Sequence, residues 1–179
     1  MRTWAVVAVV ACGGCAASGP GGAIGSSNGP IGGSAGTASF DGGALPAPGA
    51  ANPIPSDFRT SLGRVSGARF LSRGHAGGRW DADVYANRPG ADALASERGP
   101  VPEGALYVEE HFERGDAGAG PIMMMEKRAP GFDPPHGDWR YVVVGAHGDV
   151  VKDGVVESCA GCHGDAPRDQ VFRVGDATR

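Results

Sequence analysis

From residue 56 onward, hydrophobic residues recur with the periods of regular structure. Phe58, Leu62 and Val65 fall at helical spacing behind Ser56, a good N-cap, and Asp57, which predicts a short amphipathic helix closed by Gly67. Trp80, Ala82, Val84 and Ala86 alternate with Asp81, Asp83 and Tyr85, the period of two expected of a half-buried strand. Further strands are predicted over 104–112, 122–127 and 139–144, the last carrying the apolar run YVVV. Residues 145–149 (GAHGD) read as a turn into Val150 and Val151. A weaker helical pattern covers 91–98, residues 158–163 lie on a helix start or helical turn, and 169–174 form a short terminal element. The sum predicts an α+β domain, mainly antiparallel sheet with a few flanking helices. Strand order does not follow from periodicity.

The chain before residue 56 lacks these periods. Arg2 precedes an apolar run from Trp4 to Ala11, too short for a bilayer span of roughly 20 residues, so it reads as an export signal. Val9-Val10-Ala11-Cys12 resembles a bacterial lipobox, in which Cys12 would become the lipid-bearing N-terminus; an ordinary signal cut near Ala17 is the alternative. Residues 16–55 are mainly Gly, Ala, Ser and Pro with Asp41 as the one charge, so little can be buried to offset ordering entropy. The expected organisation is a signal peptide over 1–15, a flexible linker over 16–55 and a folded domain over 56–179. This predicts an exported protein, periplasmic or held at a membrane as a lipoprotein. The formal charge of −4, from 16 basic and 20 acidic residues, gives no basic footprint for nucleic acid.

The cysteines sharpen the picture. Cys12 and Cys15 fall in the leader, whereas Cys159 and Cys162 are followed at once by His163 near the C-terminus. C-x-x-C-H is the signature of c-type haem attachment. Two thiols at this spacing reach both vinyl groups of one haem, and the adjacent histidine reaches its iron as proximal ligand. An exported chain suits that cofactor, which is assembled outside the cytoplasm. Three readings compete. Zinc wants four ligands, and His75, His111, His136 and His147 show no paired spacing. A thioredoxin-like redox pair wants a βαβ context. A structural disulfide is the plainest.

Taken together, SRGHAGGRWDADVYAN, PVPEGALYVEEHF, MEKRAPGFDPPHGDWRYVVV and CAGCHGDAPRDQVF resemble the cytochrome P-460 family of exported bacterial haem proteins, over about residues 58–172. The resemblance implies a mainly antiparallel sheet, often a homodimer, and one covalent haem c on Cys159 and Cys162, usually five-coordinate, with His163 as proximal iron ligand. In the namesake enzymes a lysine on the GALYVEEHF strand is also bonded to the haem edge and is tied to hydroxylamine oxidation. That position aligns with Glu109, which cannot make the amine link, and Lys127 is a poor substitute by position. The chain is in this respect similar to the cytochrome c′-beta branch, which lacks the lysine and binds nitric oxide or carbon monoxide at an open iron.

Other residues extend the candidate site. Glu109 and Glu110 point to opposite faces of a strand, so one of them, taken as Glu109, enters a distal pocket as a possible proton-transferring group. Met123, within Met123-Met124-Met125, is a candidate sixth ligand, although such runs are more often core packing. His111 and His147 are further sixth-ligand candidates, and Arg73, Arg79 and Arg140 candidate partners of haem propionates. The expected function is binding of a small diatomic ligand such as nitric oxide at an accessible iron. The alternatives are an electron-transfer cytochrome with a sixth protein ligand and a redox partner protein, or a hydroxylamine or nitric oxide oxidoreductase.

Overall fold

The computed structural model describes residues 51–174 except 77, 116 and 117. The signal segment, Cys12 and nearly all of the linker lie outside the described residues. The order is α1 (Phe58–Ser61), β1 (Gly63–Arg64), β2 (Phe70–Ser72), β3 (Trp80–Ala86), α2 (Arg88–Ser96), β4 (Leu106–Glu113), β5 (Ala119–Lys127), β6 (Trp139–Val144), β7 (Val150–Gly154) and α3 (Glu157–His163), with one 3-10 turn over Pro134–His136. The seven strands form one antiparallel sheet in the order β1-β3-β4-β5-β6-β7, with β2 beside β1 on the outer edge of β3. The protein is therefore α+β and mainly antiparallel, as its periodicity predicts. Among the described residues no helix is long and apolar enough to cross a membrane.

Alternation along the strands divides the core in two. One face gathers Ile54, Phe58, Tyr85, Val108, Met124, Val142 and Val144. The other gathers Ala86, Ala93, Tyr107, Trp139, Tyr141 and Ala160 among its buried residues. Strand β3 accordingly is not half-buried: its residues 82–86 are all buried. Asp83 is buried among them, and Arg64 and Arg69 neutralise it. Among the described residues the first buried one is Ile54, two residues before the expected start.

The predicted first helix is one turn only. Asp57 caps it without a side-chain hydrogen bond, and Gly63 and Arg64 leave it to pair with Ala86 and Tyr85. The Val65 N–H continues that pairing by donating to Val84 O. Phe58 and Leu62 pack on one face of the sheet and Val65 on the other, so their helical spacing was a coincidence of two elements. Helix α2 begins three residues earlier than its apolar pattern suggests. Asn87 caps it, accepting from Gly90 N, and a proline stands in its first turn. The Asn87 side chain also accepts from Leu106 N and donates to Gly104 O, which fastens the helix start to β4. The expected terminal element over 169–174 is an isolated bridge between Arg168 and Val171.

Candidate functional site

Helix α3 carries Cys159, Cys162 and His163 at i, i+3 and i+4, so all three share one helix face. Ala160, on another side, is fully buried in the core and anchors the helix. Cys159 and Cys162 are not joined in a disulfide. The His163 Nδ1–H donates to the Gln170 carbonyl at 2.8 Å. A carbonyl only accepts, so Nδ1 holds the proton and Nε2 keeps its lone pair. The rings of Tyr141 and Phe172 flank the imidazole at 5.5 and 5.6 Å. Burial pushes the His163 pKa below the ordinary histidine range; the Gln170 carbonyl opposes this, His75 adds to it and Glu109 offsets part. The imidazole is thereby held neutral, the form that ligates metals.

A strained turn sets the direction of that hydrogen bond. Asp169 and Gln170 both adopt left-handed backbone, with φ of 43° and 63°, a conformation uncommon for non-glycine residues. Four interactions hold it. Lys127 Nζ reaches both Asp169 carboxylate oxygens at 2.7 and 2.8 Å. The Val101 N–H donates to Asp169 Oδ2 at 2.7 Å, Trp139 Nε1–H to Asp169 O at 3.0 Å, and Tyr141 O–H to Gln170 Oε1 at 2.9 Å. Burial raises the pKa of Tyr141 well above that of a free phenol, so its hydroxyl remains a donor. Sequence reasoning missed Asp169 and Gln170 as orienting residues. The signal was Asp169 itself, which stands in the segment CAGCHGDAPRDQVF that carries the family resemblance, but no orienting role is legible from that position.

A cavity of about 590 Å³ opens over this helix face, lined by Cys159, Cys162 and His163. Its sheet wall is built from two cross-strand rows. Val84, Glu109, Met123 and Val143 are successive partners across β3 to β6, and Tyr107, Met125 and Tyr141 form the next row. Residues 70–76 close a third side. The size and largely apolar lining are those of a small-molecule or cofactor site. A second hollow of similar volume lies between α2 and the C-terminal segment and shares Leu94, Val171 and Phe172 with the first.

One corner of the cavity is polar. Glu109 Oε1 accepts from Ser72 Oγ at 2.6 Å and lies 3.3 Å from His75 Nδ1 and 3.1 Å from His111 Nε2. The two imidazoles meet at 3.2 Å. Burial alone would raise the Glu109 pKa, but hydrogen bonds and charge from His111 and His75 hold it well below the usual carboxylate range. His75 is affected reciprocally: burial opposes its charge, and the hydrogen bond and charge of Glu109 outweigh that, raising its pKa.

The structure thus brings Glu109, Met123, Cys159, Cys162 and His163 to one cavity, with Arg73 on its rim. Met125 shares that wall, while Met124 is buried on the opposite face. Glu110 also faces away, paired with Arg59 Nε at 3.0 Å. Lys127 is committed to Asp169 and lies 5.1 Å from the Trp139 ring. His147 is exposed in the β6–β7 turn. Arg140 pairs with Asp153 and Glu126, and Arg79 stacks over Trp80. His75 and His111, which lack paired spacing in the sequence, converge with Glu109. Two thiols and a neutral imidazole on one helix face, beside an apolar cavity, are a donor set that fits a covalently held haem. No protein-family model matches the chain, and no curated protein matches it.

Proposed function

We propose that this protein carries one covalent haem c in the cavity above α3 and binds a small diatomic ligand, such as nitric oxide. The observation that carries the reading is the placement of Cys159, Cys162 and His163 on one helix face lining a largely apolar cavity, with His163 Nε2 left as a lone-pair donor. The resemblance to the cytochrome P-460 family, and to its cytochrome c′-beta branch in lacking the lysine at Glu109, supports it. Bound haem supplies an iron centre with an open coordination position.

The chain's own residues do the rest. Cys159 and Cys162 would hold the group by thioethers, and His163 would bind its iron. The Gln170 carbonyl fixes the ring's tautomer and direction, the role outer-shell partners play at metal sites. Val84, Val143, Met123 and Leu94 give the cavity an apolar lining, and Arg73, which also lines it, could pair with a carboxylate of the bound group. Glu109 with its two histidines is the polar corner near which a ligand would sit. The proposal extends to an exported or lipid-anchored protein and to a homodimer, on the leader and the resemblance respectively.

Optical spectra of protein matured in a c-type-competent host test the reading in ferric, ferrous and carbon monoxide-treated ferrous forms. A high-spin ferrous band that shifts with carbon monoxide is expected. A low-spin ferrous spectrum indifferent to carbon monoxide would replace gas binding with electron transfer, and Met123→Leu would then identify or dismiss Met123 as the sixth ligand.

A further inference from the structure

The corner formed by His75, Glu109 and His111 brings three metal-ligating side chains to one point. Three ligand atoms, His75 Nδ1, Glu109 Oε1 and His111 Nε2, form a triangle with edges of 3.1, 3.2 and 3.3 Å. Nitrogen and oxygen ligands bound at about 2.0–2.1 Å around a tetrahedral ion are separated by about 3.3 Å, as the tetrahedral angle dictates. The triangle therefore has the size of one face of such a shell. We infer that His75, Glu109 and His111 bind one divalent first-row transition metal ion at the cavity wall, a site separate from His163.

The surroundings of the triangle support this. The His111 Nδ1–H donates to the Pro121 carbonyl at 2.9 Å, which leaves the Nε2 lone pair aimed at the centre. His111 is 1% exposed, so that lone pair cannot be satisfied by bulk water. It lies 3.1 Å from Glu109 Oε1 and 3.2 Å from His75 Nδ1, so the three atoms need a cation, a proton or a metal ion, between them. One shared proton, on His75 or His111, would bridge part of the triangle. A metal ion satisfies all three edges at once. Ser72 Oγ, at 2.6 Å from Glu109 Oε1 and 3.0 Å from His75 Nδ1, is too close to the carboxylate to share the shell and instead orients these two side chains. The fourth position is left to water or a cavity ligand, as at open metal sites. Two imidazoles and one carboxylate suit zinc or iron(II), not calcium or magnesium, which prefer all-oxygen shells.

The backbone is shaped around the same point. Between Glu110↔Ile122 and Phe112↔Ala119, Gly120 and Pro121 on β5 oppose the single residue His111 on β4. This one-residue bulge brings the Pro121 carbonyl to the His111 ring, and bulges commonly re-aim side chains in this way. A Cβ on Gly120 would lie 2.9 Å from both His111 Cβ and Trp80, so the close approach needs glycine there.

The test uses the haem-loaded protein, stripped with a chelator and titrated with zinc by calorimetry, with metal content measured after dialysis. One zinc per chain is expected, with magnesium not competing. His75→Ala and Glu109→Gln, both at partly exposed side chains, should each weaken binding by at least about tenfold, the scale on which even outer-shell partners act. His147→Ala, in the exposed turn, should leave binding unchanged. Absence of zinc binding, or equal binding by the His75 and Glu109 variants, overturns the proposal. X-ray absorption at the zinc edge of the wild-type protein decides independently of variant folding. Two imidazoles and an oxygen ligand support the site, and a sulfur shell, which would point to Cys159 and Cys162, overturns it.

Discussion

The two faces of the sheet use the same strands for opposite ends. On the closed face Phe58 meets Tyr85 edge-on with ring centroids 5.2 Å apart, over buried Val108, Val142 and Val144. Its two buried carboxylates are neutralised by arginines that reach in from solvent, Glu110 by Arg59 and Asp83 by Arg64 and Arg69. The other face is packed around Trp139, Tyr107 and Ala160, but beside them it stays open as a cavity with a carboxylate and two imidazoles at its corner. Neighbouring residues of one type are divided between the faces: Glu109 and Glu110, Met123 and Met124. The contrast teaches that closed packing on one side leaves the cavity rows on the other free to carry chemistry.

The largest expected effect is on the cavity side. Replacing both Cys159 and Cys162 by Ala should abolish haem that survives a denaturing gel; haem staining that persists would separate these thiols from attachment. Next in size is a contrast between adjacent methionines. Met124→Ala should cost about 2–5 kcal/mol in urea denaturation, since it empties a packed core site, with the optical spectrum unchanged. Met123→Ala should cost less stability and alter ligand binding instead. Equal costs would mean that both faces are packed alike.

Tyr107 ties the cavity face to pH. Its hydroxyl donates to Gly90 O at 3.0 Å, and burial pushes its pKa up to about 12, with Arg168 opposing and Asp169 adding. An unfolded tyrosine titrates near about 10. The folded state therefore favours the neutral phenol, and this stability is complete below pH about 10 and lost as pH rises through about 12. Tyr107→Phe should cost about 1 kcal/mol at neutral pH through the lost hydrogen bond. Its deficit should shrink as pH rises from about 10 to about 12, measured by thermal midpoints; a constant deficit would contradict the assignment. The smallest effect belongs to the rim of the closed face. Arg64→Ala should cost no more than about 1 kcal/mol, because the arginine is exposed and Arg69 still pairs with the buried Asp83, and cavity spectra should not change.

Much of this contrast is legible in the chain. The alternation in β3 and the apolar run in β6 mark those strands to the residue, and the C-x-x-C-H spacing alone puts both thiols and the imidazole on one helix face. The opposite orientations of Glu109 and Glu110 follow from strand geometry. The first helix misled because Phe58 and Leu62 on one side and Val65 on the other reach different core clusters, and a spacing count cannot tell one helix face from two elements. The start of α2 was missed because Asn87 acts through its cap and its bonds to β4, neither of which has a hydrophobic period.

By itself, then, the sequence determined what is local: strand identity, the α+β class, and the donor set on α3, since side-chain direction over a few residues follows from backbone geometry. Tertiary structure alone decided which distant groups meet. His75 and His111 are 36 positions apart and converge only because β2 pairs with β3, β3 with β4, and a bulge opposite His111 turns a carbonyl onto its ring. Lys127, Trp139 and Tyr141 come together on the turn that aims His163 for the same reason. Register and bulge position arise from the summed packing of both faces, and no short window of residues encodes that sum.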